Sequence, residues 1–140
     1  MLGVRVDTNV YVSALAFGGK PLQILEMAAQ GLIRLSISDS ILQETIRVLG
    51  DKFQWEDTAL REVDASIRRI AEVVVPTQAV DVIKSDPPDN RVLECAAKAK
   101  SDYIVSGDRD LLRLGRFGNI GIVRVDEFLK AAAEHGGPAR

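Results

Sequence analysis

The feature that most constrains this chain is an alternation. Short runs rich in Val, Ile and Leu are separated by longer stretches whose apolar residues recur at helical spacing. Leu2–Val6, Leu32–Ile37, Val73–Val75, Tyr103–Ser106 and Ile120–Val125 read as strands, with Arg5 the one discordant residue in the first. Between them, Val10–Ala16 reads as a short helix and Phe17–Lys20 as a turn. Leu22–Gln30 reads as a helix opened by Pro21 and stopped by Gly31. Ser40 and Gln43 form a capping-box pattern for a helix reaching Lys52. Leu60, Val63, Ile67 and Ile70 mark a helix over Thr58–Ile70, and Val92, Leu93, Ala96 and Ala97 mark the inner face of one over Asn90–Lys100. Asp126 stands where it would cap a last helix beginning near Glu127. Such alternation predicts a three-layer α/β/α sandwich around a mainly parallel five-stranded sheet. No Ser/Gly/Pro-rich linker divides the chain, so residues 1–132 are expected to form one domain and 133–140 a tail.

Composition narrows the chemistry. A chain of 140 residues, 46% apolar and 27% charged, suits a single globular domain. No apolar run reaches the roughly 18 residues of a membrane span. The opening MLGVRVDTNV lacks a signal-peptide pattern. One cysteine, Cys95, excludes an internal disulfide framework. A cytoplasmic protein without a membrane partner is expected. The 18 basic and 20 acidic side chains give a net charge of −2, which argues against nucleic-acid binding by overall charge but leaves room for a local basic groove. The only histidine, His135, lies in the stretch EHGGPAR near the C-terminus, so neither a histidine zinc site nor a Ser-His-Asp triad has its residues. Carboxylates, hydroxyls, amides and cations remain.

In open parallel sheets, ligands bind beyond the carboxyl ends of the strands. The first strand runs straight into Asp7-Thr8-Asn9. The second is followed by Ser38-Asp39-Ser40, with Glu44 about one turn into the next helix. The loop before Asn90 holds Asp86 and Asp89, and the fourth strand ends at Ser106-Gly107-Asp108 with Asp110 beyond it. Each acid taken singly fits a local role: Asp7 as a helix cap, Asp86 and Asp89 at a helix start, Glu44 on a solvated face, Asp108 in a turn, Asp39 and Asp110 as caps. Together they are different, because clustered carboxylates repel. A hard divalent cation, which selects oxygen ligands, relieves that repulsion.

Three segments, V-D-T-N-V at 6–10, S-D-P-P-D-N-R-V-L-E-C-A at 85–96 and D-Y-I-V-S-G-D-R-D-L-L at 102–112, resemble the PIN-domain family. The likeness is greatest to its branch of toxins from bacterial type II toxin–antitoxin systems, and it extends over about residues 2–130. The resemblance implies a Mg²⁺- or Mn²⁺-dependent endoribonuclease. It places the catalytic and metal-binding quartet at Asp7, Glu44, Asp89 and Asp108, with Asp7 and Asp108 central. Asn9 and Ser106 become polar positions that orient water or phosphate, and Asp86 and Asp110 become secondary acids. Glu94 lies off the face of Asp89, and Pro88 stands where this branch often has a further acid. Two metals about 3.5–4 Å apart can activate a water and neutralise a leaving oxygen, so no covalent enzyme intermediate is needed. RNA phosphates are expected to meet Lys20, Arg91, Arg109, Arg113 and Arg116, each of which also reads as an ordinary surface charge. Tyr11 and Phe17 suit base stacking, although core packing is the stronger expectation for both. Trp55 is expected to pack between helix and loop, and Cys95 as a small buried group. The family likeness also implies a homodimer and an antitoxin protein partner. The apolar stripes at Leu22–Gln30 and Leu60–Ile70 read first as core.

Other classes fare less well. A phospho-acceptor signalling domain wants an Asp after its central strand, but Val73–Val75 leads to Pro76-Thr77. A phosphatase with an Asp-x-Asp motif meets Asn9 at the second acid. A non-catalytic RNA- or protein-binding module of the same fold is the main alternative, opposed by acids at all four places.

Overall fold

The computed structural model describes residues 1–75, 93, 96, 97 and 99–135. Its strands are β1 (Gly3–Val6), β2 (Arg34–Ser38), β3 (Ala71–Val74), β4 (Tyr103–Val105), β5 (Arg116–Phe117) and β6 (Ile120–Val123). Its helices are α1 (Thr8–Phe17), α2 (Gly19–Ala29), α3 (Asp39–Phe53), α4 (Asp57–Ile70), α5 (Arg109–Leu114) and α6 (Val125–Glu134). The sheet order is β3-β2-β1-β4-β6-β5. All neighbours pair in parallel except β5 and β6. The α/β fold with a mainly parallel sheet is therefore as the alternation predicts. The sixth strand is an addition: β5 folds back on β6 through Gly118-Asn119, with Gly118 at φ +61°. A two-residue loop of this composition between short apolar runs is itself a hairpin signal.

The connections from β1 to β2 to β3 step one way along the sheet, and those from β4 to β6 step the other. Right-handed crossovers in opposite directions place their helices on opposite faces, which makes β1 and β4 the switch point of the sheet. α6 returns to pack on α2 and β4, with Phe128 edge-on to Tyr103 at 5.7 Å between ring centroids. The core joins Val4, Val6, Leu35, Ile37, Ile104 and Ile122 of the strands to Ile24, Leu42, Leu49, Leu111 and Phe128 of the helices. Strands covered on both faces read as near-continuous apolar runs, and β1 is buried along its whole length.

Several boundaries differ from expectation for identifiable reasons. α2 begins at Gly19, so Pro21 sits third in the helix rather than first. Amides of the first turn have no intrahelical partner, so proline costs no hydrogen bond there. α3 is capped by Ser38, whose Oγ accepts from the Ile41 amide at 3.3 Å, and not by Ser40 with Gln43. Ser40 lies in the first turn and turns its hydroxyl to that of Ser38, 3.3 Å away. Asp126 is also a first-turn residue. The cap position of α6 is Arg124, whose amide donates to the Glu127 carboxylate at 3.1 Å. Leu93 and Ala96 are helical and fully buried as expected, while Ala97 is exposed and Val92 lies outside the described residues. Among the apolar stripes, Val63 and Ile67 are buried and Leu60 and Ile70 half-buried. An apolar groove of about 430 Å³ remains between α2 and α4, walled by Leu22, Leu25, Val63 and Ile67. Phe17 is not a core residue. It is 76% exposed and rests edge-on against Phe53, whereas Tyr11 is fully buried. Trp55 packs half-buried against the core as predicted. Among the described residues no helix is long and apolar enough to cross a membrane.

Candidate active site

The acids nearest the switch point are set by the strands beneath them. Asp7 follows β1 directly, and its amide donates to the Val105 carbonyl of β4 at 3.0 Å. Its extended backbone and short side chain make it the cap of α1: Oδ1 accepts from the Asn9 amide at 3.1 Å. Its other oxygen, Oδ2, accepts from the Ser106 hydroxyl at 2.6 Å. Ser106 directly follows β4, is fully buried, and is anchored by its own amide to the Val123 carbonyl of β6 at 3.0 Å. Ser106 Oγ in turn accepts from the Asp108 amide at 2.9 Å. Asp108 caps α5, its Oδ1 accepting from the amides of Asp110 at 2.8 Å and Leu111 at 3.3 Å. Asp7 and the distant pair Ser106 and Asp108 thus form one hydrogen-bonded unit across the β1–β4 junction.

The cap reading of the two aspartates is observed. Each is a helix cap, and each lies at the edge where a parallel sheet binds ligands. The Asn9 and Ser106 bonds engage the two oxygens of Asp7 only in part, since a carboxylate offers about four lone-pair sites. Asp7 is 5% exposed, and no arginine or lysine among the described residues pairs with it. A buried carboxylate without a cation is costly, and a bound metal ion relieves that cost. The donors, carboxylate and hydroxyl oxygens, suit a hard divalent cation. Ser106 departs from its expected role. Its proton is directed at Asp7, so it sets the carboxylate orientation rather than facing a water or phosphate. Asn9 meets Asp7 through its backbone, and its side chain is exposed.

The other predicted residues are less tightly drawn in. Glu44 is half-buried in the second turn of α3, the helix that starts where β2 ends and packs on α1. Asp86, Asp89, Arg91, Glu94 and Cys95 lie outside the described residues. Among the described residues no group of three acidic, histidine or cysteine side chains gathers closely enough to hold a metal ion. Asp110 sits in the first turn of α5, 3.7 Å from Arg113. Asp39, expected as a cap, is instead a first-turn residue of α3 paired with Arg68 at 2.8 Å. Arg68 also holds Asp64 at 3.1 Å, and the two carboxylates raise its pKa, Asp39 most. Lys20 is exposed in the first turn of α2, separated from Asp7 by the length of α1. Arg109 and Arg116 are exposed, Arg116 with a 3.4 Å bond to the Asn119 carbonyl.

A family model for the PIN domain matches residues 4–110, a span that includes Asp7, Glu44, Asp89 and Asp108. The chain belongs to the PIN-domain family. PIN domains are generally nucleases and typically use divalent metals, so the fold of this chain is a nuclease fold. A comparison with curated proteins found no match. The buried Ser106–Asp7 bond is the feature that sequence reasoning left unassigned. Its signal was present, since a hydroxyl two residues before Asp108 and an acid directly after β1 are brought together wherever β1 and β4 are neighbours.

Proposed function

We propose that this PIN-domain protein is a divalent-metal-dependent endoribonuclease that hydrolyses RNA phosphodiester bonds, and that it is the toxin of a toxin–antitoxin pair in the cytoplasm. The observation that carries the nuclease reading is Asp7. It is a buried carboxylate in ion-pair contact with no cation among the described residues, held by Ser106 at the switch point and linked through it to Asp108. Asp7 and Asp108 would hold Mg²⁺ or Mn²⁺, with Glu44 and Asp89 completing the ligand set. The bound cation supplies a water of lowered pKa and charge neutralisation at the leaving oxygen. The protein's own part is orientation. Ser106 fixes the rotation of the Asp7 carboxylate, and the amides of Asp110 and Leu111 hold one Asp108 oxygen and so direct the other. Asn9 is the exposed polar group beside Asp7, placed to hydrogen-bond water or phosphate. Arg109, exposed at the start of α5 next to Asp108, is the foremost phosphate-binding cation, with Lys20, Arg91, Arg113 and Arg116 as further candidates.

Incubating the protein with labelled single-stranded RNA tests this reading. Cleavage is expected with Mn²⁺ or Mg²⁺ and none with EDTA. The competing reading, a binding module without activity, draws on the capping bonds of Asp7 and Asp108. It predicts RNA retention without cleavage under every metal condition. The partners in the proposed function are RNA, an antitoxin protein and a second copy of the chain. A small gene immediately upstream, whose product co-purifies with this protein and suppresses cleavage, is the expected mark of the pair.

A further inference from the structure

Arg5 lies in the middle of β1, between Ser36 of β2 and Ile104 of β4 in the ladder. It has no exposed surface, and its Nε, Nη1 and Nη2 are without a hydrogen-bond partner among the described residues. Its Cζ stands 5.9 Å from the centre of the Tyr11 ring. Tyr11 belongs to the first turn of α1, and its amide bonds to the Asp7 carbonyl at 3.2 Å. The guanidinium therefore lies beneath the turn that Asp7 caps. The two-residue period of a strand directs side chains 5 and 7 to the same face. A guanidinium stays protonated in any protein environment, so burial cannot neutralise it. The aromatic face of Tyr11 offsets only part of its lost hydration. The positive end of α1 adds repulsion rather than relief. Among the described residues, the carboxylate nearest to Arg5 along the chain is that of Asp7, two residues on.

We propose that Arg5 is the fixed counter-charge of the acidic site. It offsets the carboxylates when no cation is bound, and by the same field it weakens binding of a divalent cation there. The proposal rests on the reading of Asp7 as a metal ligand. Arg5 touches neither substrate nor metal; it is a positioning residue that acts through Asp7. At an effective dielectric constant of about 20, a guanidinium and a divalent ion even about 10 Å apart repel enough to change a dissociation constant by roughly tenfold or more. Arg5 and Asp7 are both buried, so added salt screens their interaction little.

The test is Mn²⁺ binding to the full chain, read from the free-ion signal in electron paramagnetic resonance, for the parent, Arg5→Met and Arg5→Lys. Circular dichroism establishes that each is folded. Arg5→Met is expected to bind Mn²⁺ at least tenfold more tightly than the parent, and Arg5→Lys, which keeps the charge, within about threefold of it. Arg5→Gln, neutral and polar, is read in the same way should Arg5→Met fail to fold. A folded neutral variant that binds Mn²⁺ no more tightly than a parent that does bind it overturns the Arg5 proposal alone. A parent that binds no Mn²⁺ overturns the metal-site reading and the proposal with it.

Discussion

Replacing Ser106 by alanine removes one oxygen and two hydrogen bonds at a position with no exposed surface. Ser106 Oγ donates to Asp7 at 2.6 Å and accepts from the Asp108 amide at 2.9 Å, and the residue is fully buried. A hydrogen bond to a charged group is worth about 1.5–3 kcal/mol, and a buried amide left without an acceptor costs about 1 kcal/mol or more. Asp7 keeps the Asn9 amide and Asp108 keeps its own two capping bonds, so helices α1 and α5 stay capped. The net loss is about 2–4 kcal/mol, which for a domain of this size lowers the melting temperature by roughly 6–15 °C. Urea unfolding followed by circular dichroism gives the free energy directly, and an unchanged m-value would confirm that the folded state is otherwise intact. Ser106→Cys, with a weaker donor, should fall between the two. Cleavage in Ser106→Ala should drop but persist, because the Asp7 carboxylate is present and merely free to rotate. A loss below about 0.5 kcal/mol would refute the claim that this hydroxyl joins the two aspartates.

Four further outcomes follow from the structure. Mn²⁺ or Mg²⁺ should raise the melting temperature where NaCl of equal ionic strength does not, since a ligand of the folded state alone adds about 2.7 kcal/mol at a hundred times its dissociation constant. Asp108→Asn should keep α5 capped, because Asn caps about as well as Asp, yet reduce cleavage by orders of magnitude. Asp39→Asn, which changes only the exposed pair with Arg68, should leave cleavage nearly intact. Gly31→Ala, at φ +76° just past the end of α2, should cost about 1 kcal/mol in a melting experiment although nothing crowds the site.

The alternation of short apolar runs with helical periodicity made the sheet legible, because strands covered on both faces must be apolar throughout. The caps were less so. Ser38 and Ser40 are both good caps in isolation, and the strand decides between them: β2 runs to Ser38 without an intervening loop, which leaves Ser40 inside the helix. At Arg124 a neighbouring acid misleads, because Asp126 has the right side chain but already lies in helical backbone. Within the site, Asp7 and Asp108 were visible as acids after strands. Their union through Ser106 depends on strand order, a long-range property that no local pattern contains. Arg5 was visible only as a discord, and its complete burial beside Tyr11 follows from β1 occupying an interior place in the sheet.

The central claim is that Asp7 holds a metal ion for RNA hydrolysis rather than serving only as the cap of α1. The most direct measurement compares the cleavage rate of labelled single-stranded RNA by the parent and Asp7→Asn, each in Mn²⁺, alongside their metal-free melting temperatures. Asn preserves the cap and most of the shape, and it removes a buried charge, so the metal-free variant should melt within a few degrees of the parent. The account predicts that its cleavage falls by orders of magnitude. An Asp7→Asn protein that cleaves RNA as fast as an active parent would contradict it.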